Sequence, residues 1–276
     1  MTLQFMPLGA ALGAEVRGLD VHHITPAQAD ELHQGWLQHH VLVVRGQPMS
    51  EEELIAFGRC FGPIEMARRQ SPLATRPEIM VISNIRENGQ TLGALPDGEL
   101  SFHFDRIHQK VPNKAGVLHA LEIPTAGGET MFSNMCLAYD TLPEATRRRL
   151  EGLTALNTYE YGQTQAEKKT LDASAPTAVH PVVRTLPDSG RRALYVCRLM
   201  TDRILDLPEA DSRALLDTLC EHAEDPRFRY EHVWQAGDTL IWDNRCTIHA
   251  RKDFDGSQRR LMKRVTVGDT VAPMLG

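Results

Sequence analysis

No run of apolar residues approaches the ~20 positions that a helix needs to cross a bilayer, and residues 1–16 lack the basic segment and unbroken apolar stretch of an export signal. These absences predict a soluble, cytoplasmic protein with no membrane partner. Cysteine is scarce and odd in number: Cys60, Cys136, Cys197, Cys220 and Cys246 are widely spaced and form no CxxC pair. That pattern argues against a disulfide framework, a zinc knuckle or a redox dithiol, and it suits a reducing compartment. There is no GxGxxG or phosphate-loop signature, so the nucleotide-binding α/β folds lose their strongest sign. Charge is not one-sided either. A formal net charge of -6 offers no general attraction for nucleic acid, and the local basic run Arg147-Arg148-Arg149 reads as the solvated face of a helix. What remains is a chain of 276 residues with 42% hydrophobic and 24% charged residues, which excludes disordered and fibrous classes and predicts a single domain over 1–276.

Helix signals are few and local. Thr25-Pro26 supplies an N-cap and a proline at the first helical position, followed by Ala29, Leu32, Trp36 and Leu37 on one face. Ser50 with Glu53 forms a capping-box pattern, which Thr141 with Glu144 and Asp206 with Glu209 repeat. Between the helices lie strand-like runs at Val41 to Val44, Ile79 to Ile82, Gly116 to Leu121, Ala193 to Cys197, Thr239 to Trp242 and Leu261 to Val267. Short strands broken by Gly127-Gly128, Asp188-Ser189-Gly190 and Asp255-Gly256 predict a mostly β sandwich or barrel with flanking helices.

The most informative tripeptide is His103-Phe104-Asp105. On a strand, residues i and i+2 point to the same face, so an imidazole and a carboxylate would approach one metal together. His249 offers a third donor shortly after the strand Thr239 to Trp242. Two histidines and one carboxylate leave up to three open positions on an octahedral iron, as oxygen-activating non-haem iron sites require. The segment Arg259-Arg260-Leu261-Met262-Lys263-Arg264 follows. A guanidinium suits the far carboxylate of a dicarboxylic cosubstrate, because its planar fork donates two parallel hydrogen bonds and keeps its charge. Arg260 and Arg264 are four apart and share a face on a strand, whereas Arg259 faces away as an ordinary surface charge.

Together, His103-x-Asp105, Gly127-Gly128-Glu129-Thr130, Trp242-Asp243-Asn244-Arg245 before His249, and the arginine-rich segment resemble the taurine dioxygenase family of iron(II)/2-oxoglutarate-dependent enzymes. The likeness extends from Leu12-Gly13-Ala14-Glu15-Val16 and Phe61-Gly62-Pro63 through His180-Pro181-Val182-Val183-Arg184 to Gly268-Asp269. It implies a double-stranded β-helix (jelly-roll) core and assigns His103, Asp105 and His249 to iron(II). It further implies that Thr130 and Arg260 hold the distal carboxylate of 2-oxoglutarate, with Arg264 near the cosubstrate or a substrate anion. Dioxygen is then the oxidant, and succinate and carbon dioxide are co-products. Because Asp105 is present where halogenating relatives have a small residue, the resemblance implies hydroxylation. It also makes a homodimer or homotetramer reasonable.

The chain departs from the family pattern at Phe102 and Phe104, which make the wall around the first ligand more apolar, and in the segment Ile64 to Gln70, where taurine-specific members carry a histidine. Taurine is therefore not the expected substrate. Arg68 is a candidate anion contact there, and Asn84 sits where members often place a polar substrate contact. Segments 86–99 and 159–174 read as lids. The expected activity is hydroxylation of a small, anionic organic substrate, drawn from sulfonates, sulfate esters, aryloxyalkanoates or amino-acid derivatives. A zinc hydrolase built on the same three ligands and a non-catalytic small-molecule-binding protein on the same fold are the competing readings.

Overall fold

Val41–Val44 reads as an unbroken apolar run because both faces of its strand are covered. In the computed structural model, which describes residues 2–94, 98–159 and 175–276, Leu42 and Val44 pack beneath two helices while Val41 and Val43 face a second sheet. The same alternation recurs on Thr239–Asp243, where Leu240 and Trp242 point inward and Ile241 outward. It recurs again on Leu261–Val267, where Met262 points inward and Val265 and Val267 outward. These strands belong to a seven-stranded sheet in the order Gln4–Pro7, Ala14–Arg17, Val41–Val44, Thr239–Asp243, Ala115–Glu122, Leu261–Val267, Met80–Ser83.

A four-stranded sheet in the order Arg229–His232, Thr130–Asn134, Thr247–Arg251, Leu100–His103 faces it, and apart from the N-terminal strands of the large sheet, neighbours in both sheets are distant in sequence. This crossed connectivity is that of a jelly roll. Phe132 from the small sheet meets Trp242 from the large one at 5.8 Å between ring centroids. Trp242 can lie flat across its own sheet because its cross-strand neighbour is Gly116. A Cβ there would come within 2.2 Å of the indole.

Helices cover the outside. In α1 (Pro26–His39) Thr25 and Gln28 form a full capping box, and Leu32 and Trp36 are buried. Ser50 and Glu53 do the same for α2 (Glu51–Arg59). The other two capping patterns fail. Thr141 Oγ1 donates to Leu137 O at the end of α3 (Met135–Asp140), and Pro143 occupies the N-cap of α4 (Glu144–Leu150). Asp206 lies in a left-handed turn at φ 60°, and Pro208 precedes α5 (Glu209–Ala223). In both cases a proline occupies the N-cap position, and the Thr141 hydroxyl is spent on the preceding helix. The run Ala193 to Cys197 is a strand only over Arg192–Leu194, because the Cys197 N–H turns to Thr201 Oγ1. Within the segment expected as a first lid, Arg86–Glu87 and Gln90–Thr91 form an exposed two-stranded hairpin, and 95–97 lie outside the described residues. Of the second, 159–174, all but Tyr159 lie outside them. No helix among the described residues is long and apolar enough to cross a membrane.

The turn joining Thr239–Asp243 to Thr247–Arg251 is stiffened by a buried ion pair: Asp243 Oδ1 accepts from Arg245 N and Nε, and Asp243 Oδ2 accepts from an Arg245 Nη at 2.8 Å. Burial alone would raise the Asp243 carboxyl, but the Arg245 charge and its hydrogen bonds outweigh it and hold the group below the usual carboxylate range. Asp243→Asn is therefore expected to cost about 3 kcal/mol of unfolding free energy at neutral pH, because it leaves a buried guanidinium under-compensated. A lowered folded-state value makes this contribution complete above about pH 4 and lost as pH falls further, so urea unfolding of the two proteins should converge in acid. A gap that stays constant down to acid denaturation would exclude the ion pair as its source.

Candidate active site

His103 and His249 are directly opposed across the pair Leu100–His103 and Thr247–Arg251, so their rings stand 4.2 Å apart between centroids. Sequence periodicity suggests that Asp105 joins them on the same strand, but the strand ends at His103. Asp105 sits in the following turn, where Asn244 replaces the missing ladder. Asn244 Oδ1 accepts from Asp105 N at 2.8 Å, and Asn244 Nδ2 donates to Asp105 O at 3.0 Å and to Asn113 O at 2.9 Å. The carboxylate then lies 3.9 Å from His103 Nε2 and 3.7 Å from His249 Nε2. One donor atom from each of the three falls within 4.8 Å of the others, and all three residues are buried.

The chemistry of these donors fits a divalent cation. His103 Nδ1 is 2.8 Å from Ser101 O, so that nitrogen carries the proton and the Nε2 lone pair faces the cluster. Burial is the largest influence on both imidazoles and holds His103 below, and His249 well below, the usual range, despite the opposing charge of Asp105. For Asp105, burial is outweighed chiefly by the charge of Arg264 and its hydrogen bond, and the carboxyl is held well below its ordinary value. Two neutral imidazoles and an ionised carboxylate are the protonation states that coordination needs.

Beside the two histidines opens a cavity whose empty space, its mouth included, is about 470 Å³. His103, His249, Thr130, Trp242, Arg251, Arg260 and Arg264 are among its lining residues. Arg260 is 2% exposed and its side chain has no hydrogen-bond acceptor among the described residues. Burial first, then the neighbouring charge of Arg251, push it down to about 9, which still leaves it cationic at neutral pH. A buried guanidinium without an anion is the feature that a cosubstrate carboxylate would complete. Thr130 Oγ1 beside it accepts from Trp234 Nε1 at 3.0 Å. Arg264 lines the cavity too, but two of its nitrogens lie 3.1 Å and 2.5 Å from the Asp105 oxygens. Arg259 pairs with Glu122 at the surface.

Two expected substrate contacts are not brought to the cavity. The Asn84 carboxamide donates to Gly256 O and Gln258 O and accepts from Arg260 N, so it fastens the loop that precedes Arg260. Arg68 is exposed and its charge falls near His108. Sequence reasoning missed Arg251, which sits two residues after His249 on the same strand and therefore shares its face. The i, i+2 rule would have found it. Arg251 and Arg260 flank the Phe254 ring at 5.6 and 5.7 Å. The role of Asn244 had no local signal.

A second buried cluster, His40 with Cys136 and Cys246, also brings donor atoms together. Its protons argue against a metal. Arg191 approaches His40 Nε2 at 3.4 Å and can only donate, which places the ring proton on Nδ1, facing Cys246 Sγ at 3.3 Å. Burial, the adjacent Cys136 thiol and the Asp243 charge push Cys246 well above the usual thiol range. The cluster is a hydrogen-bonded part of the core.

Comparison with known proteins agrees with this geometry. The family described as Taurine catabolism dioxygenase TauD, TfdA family matches residues 4–266. Pentalenolactone F synthase of Streptomyces arenae is 35% identical over 94% of this chain and 91% of its own length. Alpha-ketoglutarate-dependent 2,4-dichlorophenoxyacetate dioxygenase of Cupriavidus pinatubonensis is 34% identical over 98% and 99%. Among solved structures, AAD-2 in complex with Mn(II) and N-oxalylglycine superposes with a TM-score of 0.84 at 29% identity, covering 99% of this chain and 100% of that one.

Because both imidazoles titrate below their usual range, protons should not compete with a cation near neutrality. Manganese(II) affinity is expected to change less than about threefold from pH 7.5 to 6.0, where an unshifted histidine pair would lose roughly tenfold or more. Calorimetric titration across that range decides, and a loss that tracks ordinary imidazole protonation would contradict the burial argument.

Proposed function

The chain belongs to the TauD/TfdA family of taurine catabolism dioxygenases, and from that membership we propose that His103, Asp105 and His249 hold iron(II) while Arg260 and Thr130 hold the far carboxylate of 2-oxoglutarate. The reaction class is that of an iron(II)- and 2-oxoglutarate-dependent dioxygenase that hydroxylates a small organic substrate. When bound, the metal and cosubstrate activate dioxygen, coupling decarboxylation of 2-oxoglutarate to succinate with oxidation of a substrate C–H bond.

The residues divide the remaining work. Asn244 fixes the direction of Asp105, and the bond from His103 Nδ1–H to Ser101 O presents Nε2 to the metal. Trp242 and Phe132 pack against the His249 ring at 4.9 and 6.1 Å and keep that side of the centre apolar. The observation that carries the reading is the buried Arg260, without an acceptor among the described residues, in the cavity that Thr130, His103 and His249 also line.

The substrate is anionic on a charge argument. Three guanidiniums, Arg251, Arg260 and Arg264, line the cavity, and a lining of this sign attracts anions. Relatives named for (S)-phenoxypropionate, 2,4-dichlorophenoxyacetate and sulfate esters support a carboxylate or sulfate-bearing substrate, with Arg264 as its anion contact. Free, widely spaced cysteines support a cytoplasmic location. A single domain over 1–276 is supported by a site drawn from both sheets, and a homodimer or homotetramer by the family resemblance.

The test is an anaerobic iron(II) and 2-oxoglutarate titration, then a dioxygen pulse across sulfonates, sulfate esters, aryloxyalkanoates and amino-acid derivatives with succinate detection. Succinate formation that rises with one of these anions is expected. Turnover supported by zinc without dioxygen would instead make the protein a hydrolase, and failure to bind 2-oxoglutarate would make it a binding protein. Arg260→Ala should weaken 2-oxoglutarate binding by roughly 10- to 100-fold, the scale of a lost charge-assisted hydrogen bond. Arg264→Ala should weaken the substrate more than the cosubstrate, and the reverse order would exchange the two roles.

A further inference from the structure

Trp234 is not among the residues that line the cavity, yet its indole N–H is aimed at Thr130, which is. An indole N–H can only donate, so at 3.0 Å it occupies a lone pair of Thr130 Oγ1 and leaves the hydroxyl proton to be placed elsewhere. No described residue accepts that proton. Thr130 lines the cavity together with Arg260, so the open direction for its O–H is the space beside that guanidinium. Thr130 is itself held from both sides of the small sheet, paired in register with His232 on one neighbouring strand and Arg251 on the other.

The indole is anchored in turn. Its ring meets His232 edge-on at 4.5 Å and 82°, and His232 is fixed by Tyr230 Oη 2.9 Å from its Nδ1, with Asp238 Oδ2 lying 3.2 Å from its Nε2. Asp238 also accepts from Gln235 N, the residue after the tryptophan, at 2.9 Å, and from Arg45 at 2.6 Å. Trp234 is 8% exposed within the apolar layer between the sheets, where an indole N–H needs an acceptor.

We infer that Trp234 is a positioning residue for the cosubstrate: its indole N–H sets the Thr130 hydroxyl so that this group donates to the far carboxylate of 2-oxoglutarate. The inference rests on the assignment of Thr130 and Arg260 to that carboxylate. Without the indole, water or a neighbouring donor can rotate the hydroxyl, and the carboxylate loses a prealigned hydrogen bond.

The experiment is calorimetric titration of 2-oxoglutarate into the manganese(II)-loaded protein, in which nothing turns over, for wild type, Trp234→Phe, Thr130→Val and the double variant. Phenylalanine keeps an aromatic ring and removes the N–H. Trp234→Phe is expected to weaken binding about fivefold, the scale of one neutral hydrogen bond, and to add less than about twofold once Thr130 is valine. Binding of 2-oxobutanoate, which lacks the far carboxylate, should be unchanged by Trp234→Phe, whereas general damage to the core would weaken both ligands alike. Unchanged 2-oxoglutarate affinity in Trp234→Phe, losses that multiply in the double variant, or equal loss of both oxo acids would overturn the inference. Absence of 2-oxoglutarate binding by the wild type would instead overturn the cosubstrate assignment beneath it.

Discussion

A single carboxamide joins the two halves of the His103, Asp105 and His249 triad. Asn244 and Asp105 are 139 residues apart, and the two backbone hydrogen bonds that Asn244 makes to Asp105 put this carboxylate opposite two histidines that the small sheet has already aligned. The dependence runs further, because Asn244 lies in the turn that also launches the strand bearing His249 and Arg251. That turn is held by the buried Asp243–Arg245 pair and by Asp243 N donating to His40 O. The packing of α1 and the positions of Asp105 and His249 are therefore one mechanical unit. The cost of ordering a tight, buried, charged turn is repaid through a site whose donors are preorganised.

Electrostatics gives that unit its direction. Like charges gathered in a cavity destabilise a fold unless something neutralises them, and here Arg260 and Arg251 press on one another across the ring of Phe254. Arg264 is satisfied by Asp105, while Arg260 awaits an anion. The molecule holds unfavourable charge in the place where a dianionic cosubstrate would remove it, and ligand binding is thereby linked to stability.

Much of this was legible in the chain because strand alternation is a strict rule. The phase of Arg260, Met262 and Arg264 on the inner face, the surface role of Arg259 and the capping of α1 and α2 all follow from spacing. Where the reading fell short, a distant partner or a neighbouring proline had overruled a local pattern. The His103-x-Asp105 spacing suggested one continuous strand, and the structure reaches the same convergence by a turn and a remote asparagine. Asn84 looked like a substrate contact because it is polar and well placed, but its amide is consumed by the backbone of the Gly256–Arg260 loop. Thr141 and Asp206 met a capping pattern whose geometry the prolines at 143 and 208 had already decided.

The central claim is that three side chains converge on one cation with a carboxylate anchored across the cavity. A crystal structure of the protein grown with manganese(II) and 2-oxoglutarate, with the metal located by anomalous scattering, tests it most directly. The account predicts one ion bound by His103 Nε2, His249 Nε2 and an Asp105 oxygen, with the far carboxylate against Arg260 and Thr130. An ion elsewhere, or a cosubstrate whose far carboxylate lies on Arg264 while Arg260 stays bare, would contradict it.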